Sequence, residues 1–142
     1  MARLTEILRR RPPVVNVLSP DQTAGDAARL MAAREVGAVL LVEADRVVGI
    51  FSERDLLRRV VAKGASPDQT ALRAVMTRDP ITAGPDEDRM VCVLKMRKIG
   101  CRHLPILLDG TLVDTVSIRD LLYDEIDARD GEIEDLKRYI QG

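Results

Sequence analysis

At 142 residues and 46% hydrophobic content, the chain is long enough for one domain with a core of its own. Aromatics make up 2% and Trp is absent, so the core must be aliphatic, and a base-stacking platform for nucleic acid is disfavoured. Lys and Arg number 22 against 23 Asp and Glu, and a net charge of −1 gives no footprint for DNA or RNA.

Residues 1–13 carry Leu4, Ile7 and Leu8 at helical spacing, followed by Arg9-Arg10-Arg11-Pro12-Pro13. A short docked helix stopped by the prolines is expected, with the arginines as a solvated terminus. Val14-Val15-Asn16-Val17 reads as a strand. Thr23, with Asp26 three residues on, predicts a capped helix whose stripe is Ala27, Leu30 and Met31, ended by Gly37. Residues 38–42 are a short apolar run and read as a buried strand. A turn at 43–46 leads into a strand at 47–51. Ser52 then opens a helix carrying Leu56, Leu57, Val60 and Val61, with Gly64 as its cap.

Residues 65–78 form a connection. Within it, Ser66-Pro67-Asp68-Gln69-Thr70 repeats residues 19–23 letter for letter, and Ala71, Leu72, Val75 and Met76 follow at helical spacing. The pattern then starts again. Ile81-Thr82 is strand-like, Asp88 caps a helix with Met90, Val93, Leu94 and Arg97, and 103–108 and 112–116 are strands joined at Asp109-Gly110. Ser117 opens a last helix. Ser52 and Ser117, Asp55 and Asp120, and Leu57 and Leu122 are each 65 positions apart. A period this long is a duplicated subdomain rather than a solenoid.

The expected architecture is therefore α/β of the α+β kind: two β-α-β-β-α units packed as a pseudo-two-fold pair, with clefts where they meet. The divisions are 1–13, an N-terminal helix and basic linker; 14–64, the first repeat; 65–78, the connection; 79–123, the second repeat; and 124–142, a C-terminal helix. In that last helix Leu122, Ile126, Ile133, Leu136 and Ile140 take heptad positions, interrupted by Arg129. Glu125 with Arg129 and Glu134 with Arg138 are i,i+4 pairs. Packing on a second protomer, and hence a homodimer, is expected.

Ser-x-x-Asp is first of all a capping box. Here it occurs twice, each time with an Arg beside the Asp (Arg54, Arg119), at a strand-to-helix corner whose dipole and N–H groups favour a phosphate. A carboxylate at such a corner can accept two hydrogen bonds from a ribose diol. Nucleotide binding is the reading these groups support. Enzyme chemistry is not: there is no Gly-x-x-x-x-Gly-Lys loop, no paired Cys, and one His without a triad-like setting. Cys92 and Cys101 lack metal or redox spacing and read as small buried hydrophobes of a reducing compartment. The N-terminus lacks the apolar stretch of a signal peptide, and no run reaches the roughly 18 apolar residues of a membrane span, so a cytoplasmic protein is expected.

Two stretches in each unit carry a family resemblance. They are Gly37-Ala38-Val39-Leu40-Leu41-Val42 with Val48-Gly49-Ile50-Phe51-Ser52-Glu53-Arg54-Asp55, and Arg102-His103-Leu104-Pro105-Ile106 with Val116-Ser117-Ile118-Arg119-Asp120, joined through Val75-Met76-Thr77. Over residues 14–123 the chain resembles a tandem pair of CBS (cystathionine β-synthase) domains of the small stand-alone bacterial type. The resemblance implies a regulatory module that binds AMP, ADP or ATP, in some members NADH or S-adenosylmethionine, that senses energy state, modulates a partner protein and catalyses nothing. It assigns ribose contact to Asp55 and Asp120. It assigns phosphate contact to Ser52, Ser117, Arg54, Arg119, Arg102 and His103, beside Pro105. The adenine edge falls to the segments near Val17 and Thr82. The glycine at 49 has Asp114 as its counterpart, and on charge grounds the Asp55 cleft is expected to be the better adenylate site. The identity of the nucleotide and of the regulated protein is not written in the sequence. The competing reading is a ligand-free interaction scaffold.

Overall fold

A computed structural model of the chain describes residues 3–141, without the side chains of residues 123–130. Helix α1 (Leu4–Leu8) is followed by β1 (Val17–Leu18), α2 (Ala24–Arg34), β2 (Ala38–Glu43) and β3 (Arg46–Ser52). The helix opened at Ser52 is α3 (Glu53–Asp55), which widens into a π-turn over Leu56–Val61. A 3-10 turn (Pro67–Gln69), α4 (Leu72–Val75) and β4 (Thr77–Arg78) lead into the second unit. That unit holds α5 (Arg89–Ile99), β5 (His103–Leu108), β6 (Thr111–Ser117) and α6 (Ile118–Gln141).

The sheet of the first unit runs β1-β2-β3-β4, with β1 parallel to β2 and the other pairs antiparallel. The second sheet is the β5-β6 hairpin. The two hairpins carry the same irregularity. The register slips between Leu41 and Val42 in one and between Ile106 and Leu107 in the other, again 65 positions apart. The extra residues are Val48 and Val113, on the turn side of each hairpin, while pairing stays regular to Ser52 and Ser117. Both turns take positive φ, at Ala44 and Asp45 and at Asp109 and Gly110, which suits the right-handed twist of a tight hairpin.

The ends of α2 and α5 follow from local chemistry. Thr23 and Asp26 form the expected capping box, and Asp88 accepts from the Met90 amide. The first helix stops earlier than expected. Glu35, not Gly37, takes the left-handed conformation at φ 54°, and the Val36 amide closes on the Met31 carbonyl at 3.1 Å. Gly100 does the same at φ 68° in the second unit, with the Cys101 amide on Met96.

Two strand expectations shift. The first strand is Val17–Leu18 rather than 14–17, because the Val14 amide is drawn to the Asp114 carboxylate at 3.0 Å and the Asn16 side chain accepts from Arg34 at 3.2 Å. The strand expected at Ile81-Thr82 is reduced to one parallel bridge, Ala83 to Ile106. The repeated pentapeptide takes two forms. The first copy is the loop that ends in the α2 cap, and the second is the 3-10 turn.

The units exchange their leading helices. The Leu4 amide donates to Glu87 and the Thr5 amide to Pro85, while Leu72 donates to Gln22 and Arg73 to Pro20. Thus α1 docks on the second unit and α4 on the first. The cores agree: Leu4 and Ile7 pack with Cys92, Met96, Leu104, Ile106, Val116 and Leu121, whereas Leu72 and Met76 pack with Met31, Val39, Leu41, Phe51 and Val60. Alternate strand residues face the other way. Ala38, Leu40 and Ile50 form a third cluster against Val47 and Leu112, which seals sheet to sheet. Both cysteines are free; Cys92 is in the core and Cys101 packs against it.

Residues 131–141 of α6 are exposed, and Glu134 pairs with Lys137 at 3.5 Å rather than with the expected Arg138. Ile126 and the Glu125–Arg129 pair lie outside the described side chains. No helix among the described residues is long and apolar enough to cross a membrane.

Candidate functional site: two clefts at the strand-to-helix corners

Both Ser-x-x-Asp motifs are formed capping boxes. The Ser52 hydroxyl accepts from the Asp55 amide at 3.1 Å and the Asp55 carboxylate from the Ser52 amide at 3.0 Å. Ser117 and Asp120 repeat this at 3.1 and 2.8 Å. The next amides, of Glu53 and Ile118, donate to the carbonyls of Gly37 and Arg102. Two of the first three helix N–H groups are therefore occupied at each corner. That leaves less of the corner for a phosphate than the sequence suggested, and moves the burden to side chains.

The side chains are unequally disposed. The larger cleft, about 630 Å³, is lined by Ser117, Arg119 and Asp120 together with Arg102, His103 and Thr115, and across it by Val14, Asn16, Gly37 and Glu53. The smaller, about 270 Å³, is lined by Arg54 and Arg102 with Val93, Met96, Arg97, Gly100, Cys101 and Ile118. These are related places: Met31, Glu35 and Val36 in the large cleft have Met96, Gly100 and Cys101 as their 65-residue counterparts in the small one. A volume of several hundred Å³ is the size of a ligand site.

The large cleft thus gathers Arg102, His103, Ser117, Arg119 and Asp120 of the sequence candidates. Arg54 and Arg102 face the small one. Ser52 and Asp55 cap their helix but line neither cleft among the described cavities, and Asp55 lies 3.6 Å from Arg59. Val17 is in β1, but it is Val14 and Asn16 that reach the large cleft. The Thr82 carbonyl accepts from Lys95 at 3.1 Å, and Pro105 is buried in β5, its carbonyl accepting from Ala83. Neither lines a cleft.

His103 starts β5 opposite Ser117. Burial lowers its pKa; Glu53 and Asp120 pull it up, and Arg102 and Arg119 push it down. It is therefore a neutral donor or acceptor at neutral pH, which an arriving phosphate would favour in the charged form. Burial raises the Cys92 thiol to about 11 and raises Cys101 as well, so neither is a reactive thiolate.

Asp114, expected on charge grounds to weaken the second cleft, does not line it. It is 3% exposed, accepts from the Val14 and Thr115 amides, and pairs with the Arg11 guanidinium at 3.1 Å. Arg11 in turn reaches Asp120 at 3.2 Å. Asn16, which lines the large cleft, and Arg11, which pairs with Asp120 behind it, were not among the residues singled out from the sequence. A polar Asn within an apolar run was a readable signal; Arg11 looked like one of three solvated arginines, and its partners in the second unit lie more than a hundred positions away.

Two capped corners, two hairpins with the same register slip and a pair of repeat-related clefts define a tandem α+β repeat fold. The CBS-domain family model matches residues 4–62 and 72–125, and the chain belongs to that family as a tandem pair. The chain is 40% identical over 105 residues to the CBS domain-containing protein CBSCBSPB3 of Arabidopsis thaliana, a match covering 73% of this chain and 19% of that protein. It thus spans about a fifth of that relative's length. Among solved structures, a CBS-domain containing protein from Agrobacterium tumefaciens superposes with TM-score 0.82 at 29% identity, covering 87% of this chain and 99% of the other. A CBS domain protein from Pyrobaculum aerophilum complexed with AMP superposes with TM-score 0.74 at 32% identity, covering 84% and 89%.

Proposed function

We propose that the chain is a regulatory adenine-nucleotide-binding module that takes AMP, ADP or ATP, with NADH as a further candidate, in the Asp120 cleft. In this reading it senses energy state, modulates a partner protein and turns nothing over. The observation that supports it is the convergence of Arg102, His103, Ser117, Arg119 and Asp120 on one cleft of about 630 Å³. Asp120 would hold the ribose diol and the two guanidiniums the phosphate. The extended segment before β1, at Val14 and Asn16, would meet the base. That the similar Pyrobaculum aerophilum protein was solved complexed with AMP supports the ligand class. The cleft also carries Glu35 and Glu53, so a single phosphate is met by near-balanced charge and longer phosphates need the arginines to turn outward.

The test is a thermal-shift panel of AMP, ADP, ATP and NADH on the full chain, followed by calorimetry. A ligand at 100 times its Kd stabilises by about 2.7 kcal/mol. Asp120→Ala is expected to abolish the shift and Asp55→Ala to leave most of it, the reverse of the order expected from charge alone. No shift with any nucleotide would defeat the reading in favour of the scaffold. That alternative has one observation of its own: Ile133, Leu136, Tyr139 and Ile140 are exposed on the last helix.

A further inference from the structure

We propose that Arg11 is a positioning residue of the Asp120 cleft, so that the cleft is competent only while the segment between α1 and β1 is docked. The ligand part of this rests on the adenylate reading above. Arg11 is held by four groups: its guanidinium donates to the Pro12 carbonyl at 3.0 Å, to Asp114 at 3.1 and 3.3 Å, to the Thr115 carbonyl at 3.0 Å and to Asp120 Oδ2 at 3.2 Å. Its side chain is 22% exposed, so these bonds are made partly out of water, where charge-assisted forks are strongest.

The repeat shows that this arrangement is specific to one cleft. In the first unit the edge of β3 is paired by backbone, Gly49 with Arg78 and Ile50 with Thr77. The counterparts of Gly49 and Ile50 are Asp114 and Thr115. There, among the described residues, no strand pairs with the β6 edge. Instead Arg11 occupies it, bonding the Thr115 carbonyl and the Asp114 carboxylate. The departure at Asp114 and the guanidinium at Arg11 thus explain each other. Gly49 could not carry such a group: a Cβ there would lie 2.5 Å from Met76 Sδ and 3.1 Å from the Thr77 carbonyl.

Arg11 braces the cleft rather than filling it. It is not among the residues lining the cleft. Its bond and that of the Ser117 amide both fall on Asp120 Oδ2, which leaves Oδ1 for a ribose diol. The guanidinium therefore fixes the carboxylate plane and offsets the Asp114 charge behind it. It can do so only while α1 is seated, through Leu4 and Ile7, in the second unit's core. Pro12 and Pro13 restrict the chain between. Anything that lifts α1 takes away the brace, which links the N-terminus to the ligand site.

The test uses the full chain with AMP as ligand. Arg11→Ala is expected to weaken AMP about tenfold, the loss of one charge-assisted bond. Arg11→Lys should weaken it less. Asp114→Asn should weaken it although residue 114 does not line the cleft. Millimolar methylguanidinium should restore part of the affinity of Arg11→Ala, an effect that a merely structural residue would not show. In the absence of ligand, amide exchange at Val14 and Ser117 should quicken in Arg11→Ala. Unchanged or tighter AMP binding in both Arg11 variants would overturn the proposal, tighter binding meaning that Arg11 competes for Asp120. If the unmodified chain binds no AMP, the adenylate reading fails, and the exchange measurement alone decides the brace: unchanged protection at Val14 and Ser117 overturns it.

Discussion

Gly49 and Asp114 stand at the same place in the two units and are used in opposite ways. Gly49 lets Met76 lie against the strand, so Gly49→Ala must displace a buried side chain or shift a carbonyl. Overpacking of this kind costs about 1–3 kcal/mol, and a lowered denaturant midpoint at unchanged slope is the expected record. His103 gives a second residue-scale prediction. Its folded pKa lies below the ordinary 6.5 because burial disfavours the imidazolium. The unfolded chain therefore binds the extra proton more readily, and stability falls as pH drops below about 6.5. The groups facing it, Glu53 and Asp120 against Arg102 and Arg119, oppose one another and leave burial in control. His103→Gln should flatten stability against pH between about 7 and 5. A curve as steep as that of the unmodified chain would place the titration elsewhere.

At the scale of elements, the capping boxes separate fold from site. Thr23 and Ser117 make the same cap, but only Ser117 lines the large cleft. Thr23→Ala and Ser117→Ala should each cost about 1 kcal/mol. Nucleotide affinity should fall only in the second; equal affinity in both variants would make Ser117 a cap and nothing more. These caps were legible because each is closed within three residues, as were the Asp109-Gly110 turn and the apolar runs of β2 and β5. What was not legible is what distant partners decide. Residues 19–23 and 66–70 share their letters, yet one is a capping loop and the other a 3-10 turn, because the Thr70 carbonyl takes the Ala24 amide and Asp68 lies against Gly25 and Arg29. The π-turn over Leu56–Val61 has ordinary helical composition, and nothing in the order of its residues announces the wider bonds. At the site, the repeat itself pointed to the motif residues, but not to Ser117, Arg119 and Asp120 lining the larger cleft while Ser52 and Asp55 line neither, nor to Asp114 being buried against Arg11, which depends on α1 crossing to the second unit.

At the scale of the molecule, what remains is the apolar surface that the two units leave uncovered. Leu57, on the π-turn after the first motif, is 60% exposed, and its counterpart Leu122, after the second, is 53% exposed. Val61 lies one turn beyond Leu57 and is also exposed. Repeat-related positions that both show Leu to solvent are the expected contact band, since contiguous exposed apolar surface marks association sites. The tail adds Ile133, Leu136, Tyr139 and Ile140. Its charges are ordered, with Glu132, Glu134 and Asp135 before Lys137 and Arg138, so two tails laid antiparallel would set acid against base. A second copy of the chain is the expected occupant of both surfaces. Sedimentation equilibrium should therefore give twice the 15.7 kDa chain mass at micromolar concentration. Each leucine fully buried contributes about 1.5–3 kcal/mol, and a two-fold interface counts it twice, so Leu57→Glu should shift the equilibrium to monomer at that concentration. Deleting residues 131–142 should weaken the dimer without abolishing it if the band carries the main contact. A dimer that survives Leu57→Glu but is lost on the deletion would place the interface in the tail, and a monomer in the unmodified chain would remove it from both.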